Sequence, residues 1–274
     1  MKKPGPNEVK VTYLGTNGYL LETRGTTLLV DPYVSRVGLG ATLLNAKVMP
    51  DPAQISKLLE RLPRHIDAVL VTHGHLDHLL DAGPIARATG AKLIASQSSV
   101  LLARAAGTKR CLAVAPGMTV RVGRGTVRVL PATHDRILGH VPFPGARTTA
   151  VNAPKRVADW VCGEPLAFLV ECGGQRIYVD SGGTGRMLPP SGPVDLAILG
   201  VALPESRSRF GQAVRTLQPR YTLPSHQDNF FRPLERGFTF NLLSSFPRVR
   251  REYQSRQLPG RLILLDYFRP WTLR

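Results

Sequence analysis

Residues 71–81 read VTHGHLDHLLD, and they continue a nearly unbroken apolar run, IDAVLVT (66–72). A run of that length and composition is the pattern of a strand buried on both faces, as in a sheet held between layers. The turn that follows it carries three of the chain's seven histidines together with Asp77 and Asp81. Imidazole nitrogen and carboxylate oxygen are donors that suit zinc and similar divalent ions. A single ion with an open position takes about three protein donors, so H-x-H-x-D-H at 73–78 holds more than one such site needs. The spacing predicts two adjacent ions, with His73 and His75 facing one and Asp77 and His78 facing the other. The donors still missing are expected at other strand ends. His134 closes TVRVLPATH (126–134), Asp180 closes QRIYVD (175–180) and His226 closes RYTLPSH (220–226).

Outward from this turn the chain reads as strands with helices interspersed. VKVTYLG (9–15), YLLETR (19–24) and TTLLVDPY (26–33) predict strands, with Gly25 as a hairpin signal. ISKLLERL (55–62) has helical spacing behind Pro52, DAGPIARATG predicts a helix, and SSVLLARAAG predicts one with serine caps and a closing glycine. KLIAS, TVRVG (119–123), LAFLVECGG (166–174), QRIYVDSGG (175–183), VDLAILG (194–200) and RLILLDYF (261–268) add strands, and RFGQAVRTL (209–217) another helix. The reading is one α/β domain over 1–274, a four-layer αββα sandwich. Two stretches, 135–165 and 227–247, carry no clear period. Loops of that length inside a compact domain are usually functional, so both are expected at the active site. Ile137, Leu138, His140, Pro142 and Phe143 in the first, and Phe230, Phe231, Phe238 and Phe240 in the second, are candidates to line a pocket. The alternative is that the phenylalanines are ordinary core and His140 a surface histidine.

The 274 residues are 43% hydrophobic and 20% charged, a globular composition without repeats. Spanning a bilayer takes about 18 or more consecutive apolar residues, and no such run occurs. The start, MKKPGPNEVK, lacks the apolar core of a signal peptide. That fits a cytoplasmic chain or a periplasmic one whose leader has been removed, and the compartment stays open. Cys111, Cys162 and Cys172 are odd in number and lack CxxC spacing, so they read as free buried thiols. The net charge is +17, with 28 of the 36 basic residues arginine. It divides into +9 over 1–185 and +8 over 186–274, so it is spread along the chain. A field of that sign favours an anionic small substrate, or a nucleic-acid or membrane surface; solubility alone is the other reading.

The ordered set His73, His75, Asp77, His78, His134, Asp180 and His226 resembles the ligand pattern of the metallo-β-lactamase superfamily of dinuclear metallohydrolases. VKVTYLGTNGYLLE, TLLVDPY, YVDSGG and LPSH also have counterparts there, so the likeness covers essentially the whole chain. It implies that His73, His75 and His134 bind one ion, that Asp77, His78 and His226 bind the second, and that Asp180 bridges them. Asp31, in LLVDPY, matches an aspartate that would hydrogen-bond a ligand, although an aspartate before Pro32 also suits a turn cap. Two such cations lower the pKa of a shared water enough to give hydroxide near neutral pH. The likeness therefore implies a hydrolase, with Asp77 and Asp180 serving the reaction and two ions, Zn²⁺ with Mn²⁺ or Fe²⁺ as alternatives.

The opening strand pair is most similar to the group that includes ascorbate-6-phosphate lactonase and N-acyl-phosphatidylethanolamine phospholipase. That points to a phosphodiester, phosphoester or lactone bond in an anionic or amphiphilic small substrate. The alternatives are a metal-dependent nuclease or nucleic-acid-binding protein, a β-lactamase, and a mononuclear-iron thiol oxygenase. A bridging aspartate argues against many β-lactamases. A histidine at 75 argues against the diiron oxidoreductases, which carry a glutamate there. Oligomeric state is not readable.

Overall fold

The computed structural model describes residues 4–181, 192–255 and 258–274, without the side chains of 206–208. Two seven-stranded sheets dominate it. The first contains β1 (Val9–Gly15), β2 (Gly18–Glu22), β3 (Thr27–Val30), β4 (Ala68–Leu70), β5 (Lys92–Ala95) and β6 (Cys111–Ala113). The second contains β7 (Thr119–Val122), β8 (Gly125–Pro131), β9 (Leu166–Cys172), β10 (Gln175–Val179), β11 (Leu196–Gly200), β12 (Tyr221–Ser225) and β13 (Arg261–Leu262). The last strand, β14 (Pro270–Leu273), returns to the first sheet and pairs antiparallel with β1.

Strand order is β14-β1-β2-β3-β4-β5-β6 in one sheet and β13-β12-β11-β10-β9-β8-β7 in the other. Each has an antiparallel half and a parallel half. The change falls at β3 in the first sheet and at β10 in the second. The residue after each of these strands is an aspartate in an equivalent place: Asp31 N–H donates to Leu70 O, and Asp180 N–H donates to Ile198 O.

Alternation along the strands builds the layers, because successive side chains point to opposite faces. Val11, Leu21, Leu28 and Leu70 of the first sheet meet Val127, Phe168, Ile177 and Ile198 of the second in one buried cluster. The opposite face of the first sheet, with Leu29, Val69 and Leu93, packs on α2 (Pro52–Leu59), α4 (Ala82–Thr89) and α5 (Gln97–Ala105). The outer face of the second sheet, with Leu169, Tyr178 and Leu199, packs on α6 (Ser206–Leu217) and α7 (Phe246–Ser255). The result is the helix–sheet–sheet–helix order expected from the sequence. Two shorter helices, α1 (Leu39–Leu43) and α3 (Leu76–Leu79), lie beside the site.

The sequence reading departs from the structure in particular places. α2 starts at Pro52 as its proline suggests, with the Asp51 side chain accepting from Ala53 N–H and Gln54 N–H as its cap, but it ends at Leu59 and not at 62. RLILLDYF stays in the sheet only for Arg261 and Leu262. The chain then bends so that the Tyr267 hydroxyl reaches Asp228 Oδ2 at 2.6 Å. β6, β14, α1 and α7 carried no signal that separated them from loops. Residues 182 and 183 of the QRIYVDSGG prediction lie outside the described residues.

Candidate metal centre

Most of the turn after β4 is set by what it must approach. Gly74 N–H donates to Cys162 O at 2.8 Å, and a Cβ at Gly74 would collide with Val161 O. The glycine between His73 and His75 thus lets the 161–162 segment pass against the turn. His75 then caps the single-turn helix α3, which carries Asp77 and His78.

Two donor groups result. The ring nitrogens of His73, His75 and His134 form one, and Asp77, His78 and His226 form the other; within each group the donor atoms lie within 4.8 Å of one another. His134 follows β8, and His226 follows β12 in a left-handed conformation (φ 59°), with its N–H held by Thr16 O. These two bring donors from the second sheet to a turn of the first.

Hydrogen bonding fixes the state of the first group. Asp31 is fully buried and its Oδ2 lies 2.5 Å from Thr72 Oγ1, a contact that requires the threonine hydroxyl to donate. Thr72 Oγ1 then accepts from His73 Nδ1–H at 3.1 Å, which leaves His73 Nε2 bare. His75 Nε2–H donates to Pro142 O at 2.8 Å, so His75 Nδ1 is bare as well. These two bare nitrogens face each other at 2.9 Å. Lone pairs at that distance repel unless a cation takes them, so the donor chemistry fits a metal ion. His134 Nδ1–H donates to Asp135 O at 2.6 Å, leaving its Nε2 bare too. Burial, reinforced by the neighbouring imidazoles, holds His73 well below the usual histidine range and brings His75 to about 3. Burial likewise takes His134 to about 4. All three are neutral at pH 7.

The second group is ionic. Burial disfavours a charged His78, yet Asp77 and Asp31 outweigh it and raise His78 to about 10. Its Nδ1–H donates to Asp31 Oδ2 at 2.8 Å, and its Nε2 lies 3.3 Å from Asp77 Oδ2. Burial also opposes the Asp77 charge, but His78 and His226 keep its carboxyl well below the usual range. His226 Nε2 sits 3.0 Å from the same Asp77 oxygen. Asp31 accepts in addition from Thr72 N–H and Asn17 Nδ2, both at 2.8 Å, so one carboxylate braces both groups.

Asp180 is buried but belongs to neither donor group. Its Oδ1 accepts from Gly200 N–H at 3.1 Å, and it is hydrogen-bonded with Tyr178. The adjacent Ser181 Oγ lies 3.4 Å from His78 Nε2. Of the other candidates, Phe143, Phe230 and Phe231 line a cavity of about 620 Å³ that opens onto both donor groups. Phe143 packs edge-on to His75 and Phe230 edge-on to His226. His140 is exposed and does not line this cavity; its backbone pairs with Ile137. Phe238 and Phe240 pack away from it, on Tyr267 and Phe246 respectively.

Sequence reasoning missed two features. Asp135 is buried at the cavity wall; burial pushes its carboxyl up to about 7 despite its ion pair with Arg209. Beneath His226, Asp228 is fully buried and accepts from Arg36 Nη1 (2.8 Å), Tyr13 OH (2.9 Å), Thr16 N–H (3.0 Å) and Tyr267 OH (2.6 Å). Its place two residues after a strand-end histidine was the one available hint.

Comparisons with known proteins agree with this architecture. The sequence model described as the metallo-beta-lactamase superfamily matches residues 11–147. A UPF0173 metal-dependent hydrolase of Rubrobacter xylanophilus is 28% identical over 233 residues, which span 81% of this chain and 82% of the relative. Another of that name from Anaeromyxobacter sp. is 29% identical over 242 residues, 83% of this chain and 78% of the relative. Among solved structures, the metallo hydrolase Igni18 of Ignicoccus hospitalis superposes with a TM-score of 0.62 at 18% identity. That superposition covers 97% of this chain and 99% of Igni18. No helix among the described residues is long and apolar enough to cross a membrane.

Proposed function

This chain belongs to the metallo-β-lactamase superfamily, and from that premise we propose that residues 1–274 form one catalytic domain of a metal-dependent hydrolase that cleaves an ester-type bond. One observation carries the proposal: the bare nitrogens of His73 and His75 face each other at 2.9 Å, an arrangement that calls for a cation. His73, His75 and His134 would hold one divalent ion, and Asp77, His78 and His226 a second. Asp180 would supply a further carboxylate to the pair; the contact of its neighbour Ser181 with His78 places the end of β10 beside the second group. Nitrogen and oxygen donors of this kind suit Zn²⁺, with Mn²⁺ and Fe²⁺ as alternatives. Such ions supply an acidified water and a Lewis-acid contact for the substrate oxygen.

The chain's own residues do the rest. Asp31 keeps the Nδ1 proton on His78 and, through Thr72, the Nδ1 proton on His73, so the Nε2 atoms of both point into the site. Asp77 Oδ2, beside His78 and His226, is placed to orient the attacking water and to share in moving its proton. Phe143 and Phe230 cover the rings of His75 and His226 and keep bulk water from them. Lactones and phosphodiesters are the leading ester-type bonds.

The test is metal removal followed by readdition, on a panel of chromogenic lactones, carboxylic esters and phosphodiesters. Turnover should vanish with the metal while the fold persists, and return with added zinc. Full hydrolysis by folded, metal-stripped protein would end the proposal.

A further inference from the structure

The cavity over the donor groups contradicts the charge of the chain. It measures about 620 Å³, inside the range of roughly 300–1,000 Å³ seen for small-molecule sites. The protein carries 36 Lys and Arg, yet among the described residues none lines this cavity. Its one acid outside the donor groups, Asp135, is already paired with Arg209. The walls are Leu39 and Leu43 from α1, Phe143 from the first long loop, and Phe230, Phe231 and Leu243 from the second.

The state of α1 says what these walls lack. No residue of this five-residue helix is buried. Leu39 is 50% exposed and Leu43 76%, and Leu243 across the cavity is 47% exposed. A helix that short has no stability of its own without a packed face. It is nevertheless held at its C-terminal end, where Asn45 Oδ1 accepts from Ala158 N–H and Val48 N–H donates to Lys155 O, each at 2.8 Å. The two leucines are thus held at the cavity wall and stay largely exposed among the described residues. Covering them is favourable for any apolar group that enters.

We infer that the non-reacting part of the substrate is an uncharged alkyl or aryl arm that lies on Leu39, Leu43 and Leu243, so that the bond to be cleaved sits at the donor groups and the apolar arm on these leucines. This rests on the hydrolase reading above and names the substrate class of the same site. The Lys and Arg side chains among the described residues lie outside the cavity lining and take no part in holding the arm.

The experiment uses zinc-loaded protein and p-nitrophenyl alkanoates of two to ten carbons. Half-esters of the same length that end in a carboxylate serve as the charged counterparts. Burial of each added methylene should raise kcat/KM about fourfold until the cavity is filled. The terminal carboxylate should lower it by about tenfold or more at equal length, because that wall offers the charge no partner. Leu43→Asp, at a position exposed enough to tolerate the change, should flatten the chain-length dependence. In parallel, calorimetry with the non-hydrolysable ketones butan-2-one to decan-2-one should show affinity rising at a similar rate per methylene.

The two arms separate the two ideas. Hydrolysis without chain-length dependence, or with a preference for the carboxylate half-esters, overturns the apolar arm and leaves the hydrolase standing. Length-dependent ketone binding with no ester turned over supports the arm and removes ester hydrolysis. Failure of decan-2-one to bind overturns the arm whatever the esters show.

Discussion

The two donor groups lie side by side and differ in charge. His73, His75 and His134 are neutral, with bare nitrogens turned on one another; Asp77, His78 and His226 form an ion-paired cluster in which His78 keeps its proton. The first group is ready for a cation and gains by receiving one. The second has already satisfied its charge internally, so a cation must displace a proton from it. On the two-ion reading proposed above, the first group would be a preformed site and the second one that opens at a cost, and the two should fill in that order.

The largest effect that would sharpen this contrast concerns the frame under the ionic group. Arg36→Ala leaves Asp228 buried without its cation, and loss of one partner of a buried pair costs about 3–5 kcal/mol. Urea unfolding should show that loss; a change below about 1 kcal/mol, the scale of an exposed pair, would mean that the Arg36–Asp228 pair does not support the loop carrying His226.

Next comes the neutral group itself. His75→Ala should lower ester turnover on the order of 10³-fold, the scale of a metal's stabilisation of developing charge. Retention of most of the kcat/KM by the zinc-loaded variant would break the assignment of that group to the reaction.

Asp31 touches both groups, though unequally: it holds His78 directly and His73 only through Thr72. Asp31→Asn should weaken zinc binding at the ionic group by about 10–100-fold, and at the neutral group by less. Equal losses in a calorimetric titration would erase the distinction between direct and relayed support.

The last effect is in protons. His78 stands at about 10, above its ordinary 6.5. Its proton is therefore fully present at pH 7 and lost as pH rises through about 10. Filling the ionic group at pH 7 should release about one proton, and affinity should fall about tenfold for each pH unit lost between pH 9 and 7. The neutral group, with His75 at about 3 and His134 at about 4, should release none. A titration in unbuffered solution measures both.

Much of this arrangement could be read ahead because its signals are local. IDAVLVT runs directly into His73, TVRVLPATH and RYTLPSH each end on a histidine, and a strand end exposes its last side chains to whatever adjoins it. The alternation that makes two sheets and two helical layers is equally local, and the superfamily likeness rested on the same strand ends. What could not be read depends on distant partners. Arg36 and Asp228 are 192 positions apart, and neither has a local pattern that marks it as buried. α1 buries nothing, so its leucines have no helical stripe to detect. Composition does not say which surface a charge occupies, so the net charge could not show that no described Lys or Arg lines the cavity. Asp180 could be matched by order, but its present partners, Gly200 and Tyr178, are set by β10 and β11 packing.

The return of β14 to β1 bears on when the site takes shape during synthesis. β1 is among the first elements made, yet its outer edge is closed by Pro270–Leu273. Tyr267, which completes the donors around Asp228, lies in the same late segment. An emerging chain can lay down β2 to β6 against one edge of β1, while the other stays open until residues 270–273 have left the ribosome. The loop that positions His226 is then braced last. A vectorially growing chain would thus acquire its neutral donor group first, and the ionic one only as residues 267–273 dock.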